Sequence, residues 1–168
     1  MHIAATQGSV ETVTALLNAG ASPDLKTFTS VTPLMQAIIK NRADVVKKLL
    51  RITKATCKVP YLNAVCQQGN VEILRMMIRG VGDINQCDSD GNTALIEAVK
   101  ANSKECVQIL IENRADPLLK NKEGKSSVSY AKGEILTILH EAINKQRLAT
   151  PTRTMKKTQL MKSSPMRT

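Results

Sequence analysis

The chain repeats itself. His2 and Met35, Gly8 and Asn41, and the pairs Leu16-Leu17 and Leu49-Leu50 are each separated by 33 residues. Gly69 then follows Asn41 by 28, Asn102 follows Gly69 by 33, and Ser126 follows Thr93 by 33. This makes five units with one short spacing. A sustained period of this length predicts a solenoid, because a unit so small cannot bury its own apolar face and must hide it against its neighbours.

Each unit reads as two short helices. In "TPLMQAIIKNRADVVKKLL", Thr32 can cap the first helix and Pro33 suits its first turn, where a missing N–H costs nothing. Leu34, Ala37 and Ile38 form a narrow apolar stripe, and Asn41 ends the helix in a tight turn, as Gly8 and Gly69 do elsewhere. Val45, Val46, Leu49 and Leu50 face the core from the second helix while Lys47 and Lys48 point outward. Stretches such as "DINQCDSDGNT" and "DPLLKNKEGKS" between units carry the Asp, Asn and Gly that favour turns.

Composition agrees. Aromatic residues make up 2% of the chain, Phe28, Tyr61 and Tyr130, so the core must be thin and filled by aliphatic side chains. Closely packed helices suit that; a β-sandwich or an RNA-recognition sheet would want more rings. No apolar run is long enough to span a bilayer, and the N-terminus lacks the basic-then-hydrophobic order of a signal peptide. Cys57, Cys66, Cys87 and Cys106 show no C-x-x-C spacing, which points to reduced thiols and a cytoplasmic location, with the nucleus also open.

The pattern resembles the ankyrin repeat family, whose signature T-P-L-H-x-A recurs in units of this length. "MHIAA", "LLNAGASPD", "TPLMQA", "GDIN", "DGNTALIEA" and "RADP" carry the resemblance, which covers roughly residues 1–143. Tetratricopeptide units have similar length but lack the Gly-Ala-Asp turn. The resemblance implies an all-α ankyrin-repeat solenoid of stacked helix-turn-helix units with projecting β-hairpin turns. Its units are expected at about 1–26, 27–54, 55–87, 88–120 and 121–144, followed by a basic disordered tail over 145–168.

The departures from the signature are informative. The first unit opens inside the signature, without its leading turn, which fits a trimmed cap and a piece of a longer chain equally well. The family's glycine after the second helix is Gly20 in the first unit but Thr53, Val81 and Arg114 later. Because a β-branched residue is strained in a left-handed conformation, Gly80 or Gly82 is expected to absorb the turn at Val81. The third unit has lost five residues before Pro60, which predicts a stunted hairpin there, and Gly133 cuts short the first helix of the last unit.

No catalytic constellation emerges. His2 and His140 stand at opposite ends of the chain; the resemblance gives His2 a hydrogen bond between units, and His140 reads as solvated. Gln86, Asp88, Asp90 and Glu97 around Gly91 approach the spacing of a calcium loop, but "GVGDIN" before them is turn-like rather than helical, and a hairpin explains the segment fully. No metal, cofactor or enzymatic activity is expected.

What remains is surface. The resemblance implies protein binding along the hairpin tips and the inner faces of the first helices, as a monomer. The inner-helix candidates are Thr6, Gln7, Ile39, Lys40, Gln67, Gln68, Lys100 and Ala101; the tip candidates are Phe28, Thr29, Val31, Ser89, Asp90, Asn92, Lys122, Glu123 and Lys125. Phe28 is the only Phe and falls at a tip, where an aromatic can anchor a partner. Lys40 and Lys100 favour an acidic or polar segment. Asn85 in "GDIN" stands where the family can be hydroxylated.

The net charge of +10 is concentrated at the end of the chain. Seven of the 24 basic residues lie in 145–168 with no acidic one, leaving 17 against 14 acidic residues in 1–144, a net of +3. Thr150 and Ser164, each before a proline, could accept phosphate and lower that charge. The leading expectation is a protein-binding adaptor with a concave groove. The alternative is nucleic-acid or tubulin binding through the tail, with the repeats as spacer.

Overall fold

A computed structural model describes residues 1–53 and 59–149. Ten helices run through them: α1 His2–Gln7, α2 Val10–Asn18, α3 Pro33–Ile39, α4 Ala43–Leu50, α5 Val59–Gln67, α6 Val71–Ile78, α7 Ala94–Lys100, α8 Lys104–Glu112, α9 Ser127–Tyr130 and α10 Gly133–Ala149. The first eight pack as four helix pairs, α9 and α10 join the stack through α7 and α8, and the whole lies in two layers. The odd-numbered helices pack in the order α1, α3, α5, α7, α9 and the even-numbered ones in the order α2, α4, α6, α8, α10. Every substantial contact is within a unit or with the next one, as the period predicts.

Side-chain oxygens start several helices. Thr32 and Thr93 accept the N–H groups of Met35 and Ile96, at 3.2 and 3.3 Å, and Asn70 accepts that of Ile73 at 3.1 Å. The joint inside each of the first four units closes the same way, whereas α9 ends at an extended Ala131. Gly8, Asn41, Gly69 and Asn102 take left-handed φ values of 86°, 54°, 67° and 54°. The next amide in the later units reaches back five residues, from Arg42 to Ala37, Asn70 to Val65 and Ser103 to Ala98. Glycine and asparagine are the residues that tolerate this conformation, and they recur at the repeat spacing.

The turn leaving the second helix is less uniform. Gly20 and Arg114 are left-handed, at 83° and 67°, whereas Thr53 and Val81 are not. Contrary to expectation, neither Gly80 nor Gly82 takes up a left-handed turn. Instead α6 ends in short right-handed bonds, from Gly80 to Met77 and Val81 to Ile78, and α4 ends similarly at Leu49. Arg114 is exposed and carries the strain of a non-glycine residue at positive φ. Arg114→Gly is therefore expected to stabilise the fold by about 0.5–1 kcal/mol, the relief exceeding the added chain entropy; an unchanged urea midpoint would contradict this.

The core runs the length of the stack. Leu34, Ile38, Leu49, Ile73, Leu74, Leu95, Leu110 and Leu139 are fully buried, and Ala5, Ala37, Ala94 and Ala98 let the first helices approach closely. Phe28 is outside it. The expected hairpins are tighter than two-stranded ladders: among the described residues there is no strand, only a bridge between Cys87 and Thr93. Five residues leave room for a turn and two bonds and no more.

At the C-terminal end, α9 stops at Tyr130 and α10 runs past the predicted boundary at 144 to Ala149. The stunted hairpin predicted before Pro60, Cys57, and the tail from Thr150 on, including Ser164, lie outside the described residues.

Candidate protein-docking site

Three turns project along one edge, at 27–31, 88–92 and 121–125. In each the first amide bonds the last carbonyl and the fourth bonds back to the first: Thr27 to Val31, Asp88 to Asn92 and Asn121 to Lys125, with Ser30, Gly91 and Gly124 returning. Those three fourth residues are left-handed. The first residue's side chain locks each loop. Asp88 Oδ1 accepts the amides of Asp90 and Asn92, both at 2.9 Å, and Asn121 Oδ1 accepts those of Glu123 and Lys125, at 3.1 and 3.0 Å. At Gly91 the neighbouring turn comes so close that a Cβ would lie 2.9 Å from the backbone nitrogen of Lys122. That nitrogen donates to Asp90 O at 3.0 Å, joining successive turns.

The turns are tied to the first helices by a recurring bond. His2 Nε2 donates to Val31 O at 3.0 Å, the link between units that the resemblance implied. In the third unit Asn63 stands at the equivalent position, and its Nδ2 donates to Asn92 O at 3.0 Å and to Asp88 Oδ2 at 3.0 Å. Asn63 Oδ1 is buried and has no partner. Sequence reasoning passed over Asn63; its place 28 residues after Met35 was the signal.

Between α5, α7 and the turn at 88–92 lies an open groove of about 710 Å³. Asn63, Gln67, Asp88, Asp90, Asn92, Glu97, Lys100 and Ala101 line it. Of the residues singled out from sequence, the groove brings together Gln67, Asp90, Asn92, Lys100 and Ala101. Asn92 needs correction: it is buried rather than presented at a tip, with its Oδ1 accepting from Asn121 Nδ2 at 3.0 Å. Lys100 is not a free cation either, because Glu97 holds it at 3.2 Å and its ammonium lies 5.0 Å from the centre of the Tyr130 ring. Three carboxylates therefore face one amine.

The other predicted residues are spread along the edge. Phe28 is wholly exposed, Ile39 is 43% exposed, and Lys40, Gln68, Ser89 and Lys122 are exposed beside them. Thr29 bonds Thr27 at 2.9 Å, Thr6 bonds the carbonyl of His2, and Gln7 is exposed. Val31 is half-buried. Lys125 pairs with Glu123 at 2.9 Å, and this bond holds the Glu123 carboxyl below its usual range. Asn85 is half-buried, and its Oδ1 accepts the Asp116 amide at 2.8 Å, so it ties one unit to the next. Burial raises the thiol pKa of Cys66 and Cys106, which keeps both protonated at neutral pH.

A family model described as ankyrin repeats (3 copies) matches residues 1–61 and 52–121. The chain belongs to the ankyrin-repeat family. Among similar proteins, protein phosphatase 1 regulatory subunit 12A of Rattus norvegicus is 32% identical over 61% of this chain and 10% of its own length. A putative ankyrin repeat-containing protein of Treponema pallidum is 28% identical over 74% of this chain and 44% of its own. An L-asparaginase of Dirofilaria immitis is 32% identical over 70% of this chain and 21% of its own. The chain thus spans less than half the length of each of these relatives. Ankyrin repeats mediate protein–protein interaction, and no described helix here is long and apolar enough to cross a membrane.

Proposed function

We propose that this ankyrin array is a non-enzymatic adaptor that docks a segment of another protein along its turn edge and the groove between α5 and α7. The groove's charge carries the reading of its partner. Asp88, Asp90 and Glu97 outnumber Lys100, which Glu97 already neutralises. A Lys or Arg side chain of the partner fits that lining better than the acidic residue expected from Lys40 and Lys100. Phe28, projecting into solvent, supplies the apolar contact.

The test is capture of partners from nuclease-treated lysate by the full chain and two variants, Phe28→Ala and the double change Asp90→Asn, Glu97→Gln. Each variant is expected to recover about tenfold less of the same proteins, a loss of one well-made contact. Equal recovery by all three would remove the groove from the binding surface.

A further inference from the structure

The opposite layer of the stack carries a second groove. Lys47 and Arg51 lie one turn apart on or just beyond α4, and Arg75 and Arg79 stand 28 residues later at the equivalent positions of α6. The repeat therefore sets the four cations side by side, around a groove of about 530 Å³ whose apolar lining is Leu50 and Met76. All four are exposed, and among the described residues none of them makes an ion pair. Glu72 is the single carboxylate of the groove. A smaller adjoining groove toward α2 adds Lys48 and the carboxylate of Asp44 to Lys47 and Arg51.

The cluster is a local departure from the repeat. The equivalent positions are Thr14 and Asn18 in the first unit and Gln108 and Glu112 in the fourth. Like charges four residues apart on a helix destabilise it, and here two such pairs are stacked against each other. An incoming anion reverses the sign of that effect. Guanidinium forks suit carboxylates in bidentate pairing, and Leu50 and Met76 between them suit an apolar side chain.

We propose that this outer groove binds an acidic segment of a partner protein in which carboxylates flank an apolar residue. The confinement of the charge to two units, with Glu112 next in line, disfavours the extended cationic track that a nucleic acid follows. Nor does a phosphodiester backbone use the apolar lining. The site stands on the even-numbered helices and is independent of the groove between α5 and α7.

A fluorescently labelled peptide of glutamates and leucines is the probe, read by anisotropy with the full chain. Arg75→Glu, Arg79→Glu is expected to weaken binding by about tenfold or more, with Arg75→Gln alone giving a smaller loss of the same sign. Asp90→Asn, Glu97→Gln should leave it unchanged. Replacing the leucines by serine should also weaken it, because the apolar lining then has no partner. The arginine variants should melt no lower than the parent, since they relieve repulsion. Equal binding by the arginine variants, equal binding of the Glu/Ser peptide, or binding of a short DNA duplex that is tighter than that of the Glu/Leu peptide and is lost with the arginine variants would each overturn the proposal.

Discussion

Leu74→Ala is expected to cost about 3 kcal/mol, within the range for removing a fully buried leucine from a core that relaxes only partly. Leu74 has no exposed surface and sits on α6, in the middle unit, between α4 and α8. A solenoid has no long-range contacts to compensate, so damage at the centre also uncouples the two ends. The urea transition should broaden as well as move to lower denaturant, followed by far-UV circular dichroism because the chain has no Trp. Leu139→Ala, equally buried but on α10 at the end of the stack, is the comparison: it should fray the last unit and leave the main transition sharp. A cooperative, unbroadened shift for Leu74→Ala would show that the array folds as one block.

Asn63→Ala is expected to cost about 2 kcal/mol through a different mechanism. It removes two hydrogen bonds and leaves Asp88 Oδ2 and Asn92 O short of a donor at the junction of the third and fourth units. The repeat supplies its own control. His2 makes the equivalent bond to Val31 O, so Asn63→His should restore the bond to Asn92 O and recover about half of the loss. Identical melting of the alanine and histidine variants would mean that the bond between units adds nothing to stability. The same substitution bears on binding, because Asp88 Oδ2 would lose its donor while Oδ1 stays held by the Asp90 and Asn92 amides.

Much of the architecture was legible in the sequence for a simple reason. Helix periodicity, a capping Thr before Pro33 and a Gly or Asn at the first four joints are local properties, decided within a turn or two of chain. They marked the helices, and the recurring joint from Gly8 to Asn102 marked the stacking direction. The exits from α4 and α6 were harder, because a strained left-handed turn competes there with short right-handed bonds that need no special residue. The left-handed Gly91 and Gly124 fall within the Asp-, Asn- and Gly-rich stretches between units, because turn chemistry too is local.

Binding chemistry was less legible. Read one residue at a time, Lys100 is a cation and Asn92 a tip residue. Packing makes the first half of an ion pair with Glu97 and buries the second against Asn121. Asn63 meets Asp88 across 25 residues, and Lys47 and Arg75 come to line one groove from 28 residues apart, only because stacking brings successive units into register. The amino-acid order thus settled the helices, their caps and the period, all of which are short-range. The charge of each groove, and which side chains share it, came from the stacking, because a surface's field is a sum over neighbours that the chain leaves a full repeat apart.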